Sequence, residues 1–174
     1  MKERNVFVTV GTTRFEKLIE SATSNFAIEW MISQGFTSLT VQYGTGKGPA
    51  IHSSSNMIKV QAYDFKPSLE EDMKKAELII SHAGAGSIME ALKLSKKLVV
   101  VINTMLMNNH QEELAGAMAE RGHLFMVKSP ELLISNTTWS SIAEFSPAPY
   151  EGGDNRHFPR ILDSYLGFRN TKDD

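Results

Sequence analysis

ELIISHAGAGSIMEAL, residues 77–92, joins a short apolar strand to a glycine turn and the opening of a helix. Leu78, Ile79 and Ile80 form a run suited to a parallel strand covered on both faces, and His82-Ala83-Gly84-Ala85-Gly86 cannot continue it. Two glycines and two alanines leave almost no side chain in the turn, so a ligand can approach the backbone closely. The helix that follows presents unpaired N–H groups at the positive end of its dipole, and a phosphate or diphosphate is the natural guest.

Outward from this stretch the chain keeps alternating. Val6 to Val10 reads as a strand ending in Gly11-Thr12-Thr13, and Phe15, Leu18, Ile19 and Ala22 give the following helix its apolar stripe, with Thr13 and Glu16 spaced as a capping box. Leu39 to Tyr43 is a second strand, followed by a flexible loop from Gly44 to Pro49, and Met57 to Tyr63 is a third. Pro67-Ser68 opens another helix, with Ser68 and Glu71 as a second capping box. Past the glycine turn, a helix from Ser87 to Leu94 precedes the strand Leu98 to Ile102. A helix opens at Asn108 to Gln111 and runs to about Arg121, where Gly122 stops it, and Leu124 to Val127 is a last strand. Such alternation predicts an α/β fold, a Rossmann-like parallel sheet with helices on both faces, whose ligands bind at the carboxyl ends of the strands. Residues 1–134 make this domain. Residues 135–159, rich in Ser, Thr, Gly and Pro, read as a loop or linker. Residues 160–174 are a helix and tail belonging to the same domain, with Ile161, Leu162, Tyr165, Leu166 and Phe168 on one face.

Composition narrows the class. At 174 residues, 41% hydrophobic and 22% charged, the chain has the profile of one globular domain. A formal net charge of -2 argues against a dedicated nucleic-acid binder. There are no cysteines, which excludes disulfides, thiolate metal sites and a cysteine nucleophile. The amino terminus leads into a strand rather than an apolar signal core, so secretion is not indicated and Asn136-Thr137-Thr138 is read as an accidental glycosylation pattern. The run Leu98 to Ile102 falls far short of the roughly 20 residues that span a bilayer.

Three loops, Gly11 to Thr13, His82 to Ser87 and Asn108 to Gln111, fall between a strand and a helix on one edge of the sheet. Together they suggest a nucleotide-diphosphate site, with hydroxyls at Thr12, Thr13 and Ser87 and backbone amides around Gly84 to Ser87. Each loop alone also reads as an ordinary connection. Ser87 and Glu90 have the spacing of a capping box, so Glu90 is either a cap or a carboxylate for ribose hydroxyls. Asn109 with Glu112 could cap a helix, leaving His110 and Gln111 on the surface, and His82 could brace the turn or act as a base. Met89 stands where a dinucleotide fingerprint has its third glycine or an alanine, Gly46-Lys47-Gly48 lacks the rest of a P-loop, and the histidines show no zinc spacing.

The motifs in order are Val6-Phe7-Val8-Thr9-Val10-Gly11-Thr12-Thr13, Ala76-Glu77-Leu78-Ile79-Ile80-Ser81-His82-Ala83-Gly84-Ala85-Gly86-Ser87, Asn108-Asn109-His110-Gln111-Glu112-Glu113-Leu114-Ala115 and Gly122-His123-Leu124-Phe125. Over almost its whole length the chain resembles the small catalytic subunits of the eukaryotic N-acetylglucosaminyltransferase that makes dolichyl-diphosphate chitobiose, and through them the carboxyl-terminal, donor-binding half of GT-B glycosyltransferases. The resemblance implies UDP-N-acetylglucosamine as donor, a lipid-linked sugar (dolichyl-diphosphate-N-acetylglucosamine) as acceptor, an inverted β1,4 linkage, and neither metal nor other cofactor. It assigns Gly11, Thr12, Thr13, His82, Ala83, Gly84, Ala85, Gly86, Ser87, Glu90, Asn109, His110 and Gln111 to substrate binding: the glycine turn to the diphosphate, Glu90 to ribose, His110 and Gln111 to the sugar hydroxyls. No residue stands out as the catalytic base, and the resemblance places it on a membrane-anchored, acceptor-binding partner subunit. It further implies a cytoplasmic protein, without a span of its own, recruited to the cytosolic face of the endoplasmic reticulum. The Ile161 to Phe168 helix is a candidate docking face for that partner. The alternatives are a non-catalytic nucleotide-sugar-binding or scaffold subunit and, more remotely, a nucleotide-binding oxidoreductase.

Overall fold

Hydrophobic alternation and glycine turns are realised as a six-stranded parallel sheet in the computed structural model, which describes residues 3–50, 57–105 and 109–151, with the side chains of 109 and 110 outside that description. The strands are β1 Asn5–Thr9, β2 Ser38–Gln42, β3 Lys59–Tyr63, β4 Ala76–His82, β5 Lys97–Val101 and β6 Phe125–Val127. They lie in the order β3-β2-β1-β4-β5-β6. The helices are α1 Glu16–Ala22, α2 Asn25–Ser33, α3 Glu70–Lys75, α4 Ala85–Lys93, α5 Asn109–Glu120 and α6 Asn136–Glu144. The expected α/β sheet with helices on both faces is therefore present, and all six strands fall where the sequence puts them, shifted by a residue or two.

Because side chains alternate along a strand, the sheet feeds two cores. Val6, Val8, Leu39, Val41, Leu78, Ile80, Val99 and Val101 pack on a first face with Leu18 and Ile19 of α1, Ala27 and Met31 of α2, and Trp139 and Ile142 of α6. Phe7, Ile79, Leu98 and Val100 pack on the second with Met73 of α3, Ile88, Ala91 and Leu92 of α4, and Leu114, Ala115 and Met118 of α5. On that second face β2 carries Ser38, Thr40 and Gln42, and β3 carries Lys59, Gln61 and Tyr63, each opposite its partner in register. Beyond β1 the fully buried apolar residues of this face end, and among the described residues of β2 and β3 Tyr63 alone packs against it.

Four details differ from expectation, each for a local reason. The expected helix over Phe15 to Ala22 is followed by one the sequence reading left out: Ser24 accepts from the Ala27 amide at 3.2 Å and starts α2. The supposed loop or linker beginning at residue 135 contains α6, preceded by a 3₁₀ helix, Pro130–Ile134. Its anchor is Trp139, fully buried, stacked on Trp30 at 4.4 Å and donating its indole N–H to the Leu133 carbonyl. Of the helix starts, Thr13 does not cap α1, because its hydroxyl donates to the Val10 carbonyl while Glu16 pairs with Arg14. Ser68 accepts from Glu70 rather than Glu71, and α4 begins two residues early with Gly84 as its cap, leaving Ser87 and Glu90 inside the helix. Beyond α6, Ala148 donates to the Gly122 carbonyl and Tyr150 meets His123 edge-on, carrying the chain to the second face. The Ile161 to Phe168 segment lies outside the described residues. Among those described, no helix is long and apolar enough to cross a membrane.

Candidate functional site

The strand order reverses between β1 and β4, and in such sheets the crevice beyond the carboxyl ends at that seam is where ligands bind. The loop after β1, Gly11 to Thr13, and the loop after β4, Ala83 and Gly84, flank it as neighbours. The start of α5 stands beside them, past β5. The three predicted loops thus share one edge. Gln111 is half-buried at that helix start; the side chains of Asn109 and His110 lie outside the described residues.

His82 organises the seam. Its ring is 8% exposed and is wedged between two glycines: a Cβ on Gly11 would sit 2.9 Å from its Cε1, and a Cβ on Gly84 would collide with its Nε2. Gly11 also has φ +60, which a side chain rarely adopts. Burial pushes the imidazole pKa down to about 4, against an upward pull from the Thr9 backbone, so the ring is neutral at neutral pH. Its Nδ1 has no hydrogen-bond partner among the described residues. Of the two readings open from sequence, this burial matches a ring that braces the turn rather than one reaching a substrate proton.

α4 supplies what the turn offers a ligand. Gly84 is in extended conformation with no side chain to cap, and its carbonyl takes the Ile88 amide. The amides of Ala85, Gly86 and Ser87 therefore point out of the first turn with no acceptor among the described residues. Gly86 is exposed, and a Cβ there would meet nothing within 4 Å. Thr12 and Ser87 keep hydroxyls with no described partner, whereas the Thr13 proton is committed to Val10. Glu90 lies one turn further along α4, half-buried. Since Gly84 is the cap, Glu90 has no capping bond and no ion pair among the described residues, and the capping alternative for it is removed. The arrangement presents several donors at one point and room for an anion before them.

Sequence reasoning took the loop after β2, Gly44 to Pro49, as flexible and gave it no part in the site. Gly44 lies so close to the β1 turn that a Cβ would collide with the Thr13 carbonyl, Thr45 donates to that carbonyl at 3.3 Å, and Lys47 donates to Glu16 at 3.2 Å. The Gly44 to Gly48 stretch is tied to the first turn at these three points. The signal was a buried-strand glutamine, Gln42, at the end of an otherwise regular alternation.

Comparison with known proteins gives a family match over most of this surface. Residues 5–155 match the glycosyltransferase family 28 C-terminal domain. UDP-N-acetylglucosamine transferase subunit ALG13 of Homo sapiens is 48% identical over 120 residues, covering 69% of this chain and 11% of that protein. The Saccharomyces cerevisiae subunit of the same name is 28% identical over 195 residues, covering 93% of this chain and 96% of its own. The chain thus spans about a tenth of the length of the Homo sapiens and Mus musculus relatives. Among solved structures, the NMR structure of ALG13 superposes with a TM-score of 0.68 at 26% identity, covering 96% of this chain and 97% of that one. Acinetobacter baumannii MurG superposes with a TM-score of 0.60 at 17% identity over 82% of this chain and 42% of its own, a likeness of fold.

Proposed function

From the premise that this chain belongs to the glycosyltransferase family 28 C-terminal domain family, we propose that it is the donor-binding subunit of an N-acetylglucosaminyltransferase. The donor is UDP-N-acetylglucosamine, the sugar nucleotide for which its relatives are named. The acceptor is dolichyl-diphosphate-N-acetylglucosamine, held by a membrane-anchored partner subunit on the cytosolic face of the endoplasmic reticulum.

The observation that carries the reading is the opening of α4: three amides without acceptors among the described residues, beside an exposed glycine where a Cβ would meet nothing within 4 Å. When the acceptor oxygen attacks the anomeric carbon, the bond from that carbon to the β-phosphate oxygen breaks. The acceptor proton goes to a base, and UDP leaves with one more negative charge. One displacement turns an α-linked donor into a β1,4 product. Charge grows on the β-phosphate, and donors already aimed there stabilise it without reorganising. The amides of Ala85, Gly86 and Ser87 take that role, helped by the Ser87 and Thr12 hydroxyls and the positive end of the α4 dipole. Glu90 accepts from the ribose hydroxyls, and Asn109, His110 and Gln111, at the start of α5, are assigned to the sugar. His82 packs against Gly84 with its ring 8% exposed, out of reach of an acceptor proton, and the base is assigned to the partner.

Calorimetric titration with UDP and with UDP-N-acetylglucosamine, with and without magnesium, tests this. Binding of both, independent of magnesium, is expected, and Gly86→Asp should abolish it by setting a carboxylate against the diphosphate while favouring the helix dipole. Failure of the unsubstituted chain to bind either nucleotide overturns the reading. The absence of a described base also suits a non-catalytic scaffold subunit. Reconstitution with the partner separates the two, because undiminished turnover by Gly86→Asp favours the scaffold.

A further inference from the structure

Gln42, the last residue of β2, is 1% exposed and uses its whole amide. Its Oε1 accepts from the Thr9 hydroxyl at 2.6 Å and from the Val10 amide at 3.2 Å, an amide it shares with its own carbonyl. Its Nε2 donates to the Gly11 carbonyl at 2.7 Å and to the Asp64 carbonyl at 2.7 Å. Two donors and two acceptor sites are the full complement of a glutamine, so no other side chain of this size satisfies all four partners.

Those partners belong to two different loops. Val10 and Gly11 lead out of β1, and Asp64 leads out of β3, where its carbonyl also takes the Gly44 amide at 3.2 Å. The Thr9 hydroxyl that Gln42 orients accepts in turn from the Gly11 amide at 3.1 Å. Gly11 is thereby held at both its N–H and its carbonyl. The His82 ring fills the space in which a Cβ at Gly11 and a Cβ at Gly84, the cap of α4, would both fall, each within 3 Å of its Cε1. A closely packed interior transmits such a contact as a fixed spacing.

We propose that Gln42 is a positioning residue of the diphosphate site, setting Gly11 and Thr12 against His82 and so against the free amides of Ala85 to Ser87. This rests on the donor-binding reading above. Gln42 touches no ligand; it acts through the height of one turn relative to the other.

A matched cluster on the same sheet face shows what a merely structural role looks like. Asn5 and Ser38 are 7% and 6% exposed, and the Asn5 amide bonds to the Ser38 and Thr40 hydroxyls, at the amino ends of the same two strands. Removing either cluster leaves buried polar groups unpaired and lowers stability, but only the Gln42 cluster adjoins the turns.

The experiment compares Gln42→Met, Thr9→Val and Ser38→Ala in the full chain, reading unfolding in urea, the UDP dissociation constant of the folded protein, and backbone amide shifts. Gln42→Met should weaken UDP binding about tenfold, from loss of preorganised geometry, and Thr9→Val by less. Both should move the amide resonances of Gly11 and of Gly84 to Ser87. Ser38→Ala should lose stability yet keep UDP affinity within about twofold and leave those resonances in place. Wild-type affinity in folded Gln42→Met, or equal loss of affinity in Ser38→Ala, overturns the proposal while the donor reading stands. If Gln42→Met does not fold, unchanged affinity in Thr9→Val overturns it. A native chain that binds no UDP removes the donor reading and this inference together.

Discussion

The two halves of the sheet are built differently. β4 and β5 are covered on both faces, and Leu78 to Ile80 and Leu98 to Val101 are apolar at every position. β2 and β3 are apolar chiefly on one face: Leu39 and Val41 enter the first core, whereas Ser38, Thr40 and Gln42 face the other way, where Tyr63 of β3 reaches the second core and Gln61 is exposed. The candidate site lies on the seam and takes something different from each side. The dry half contributes main-chain donors, because a side-chain-free turn can follow a strand that needs no polar support. The polar half contributes side-chain hydrogen bonds that hold the turns in place. An anion site made of backbone needs both, since amides cannot aim themselves.

The sharpest way to break this contrast is truncation on each side. Leu98→Ala, fully buried under α4, should lower the free energy of unfolding by about 2–5 kcal/mol, whereas Gln61→Ala on β3 should stay within about 0.5 kcal/mol in the same urea titration. Comparable losses would mean that β3 is covered and that the halves are alike.

Next in size is the pH response of the seam. An unfolded histidine titrates near 6.5 and His82 near 4, so between those values the unfolded chain binds more protons and stability falls as pH falls. At pH 5 the native state should be about 2 kcal/mol weaker than above pH 7 from this group alone. Unfolding curves of wild type and His82→Gln at both pH values isolate it: the variant should lack that part of the slope. An equal slope in the two proteins would show that the ring is not buried uncharged.

The smallest effect distinguishes the two glycines of the turn. Gly84→Ala drives a methyl into the His82 ring, but Gly86→Ala meets open space and should raise stability by up to about 1 kcal/mol through helix propensity. The same Gly86→Ala should weaken UDP binding, because the space it fills is the ligand's. Higher melting temperature with unchanged UDP affinity would mean that Gly86 serves nothing beyond the turn.

Much of this was legible in the chain. Continuous apolar runs and glycine stops mark local preferences that the tertiary fold reinforces, so all six strands and the convergence of Gly11, His82 and Gly84 on one edge could be read directly. α6 was hidden because Ser, Thr and Asn dominate residues 135–141, and one buried Trp139 rather than a periodic stripe anchors it. The capping boxes misled because their spacing says nothing of which residue leaves helical geometry first; at Gly84 the wedge of His82 helps to fix that point. Glu90 therefore changed from a plausible cap to an unpartnered carboxylate only when the start of α4 was located.

Sequence alone determined the α/β alternation, the edge on which ligands would gather and the nearly bare turn ahead of α4, because each follows from residue types within a few positions of one another. Only the tertiary structure decided that His82 is a neutral ring packed against two glycines and that Gln42 ties the loops after β1 and β3 together. Those roles depend on side chains brought within contact distance across roughly 20 to 70 residues of chain, and no local pattern encodes such contacts.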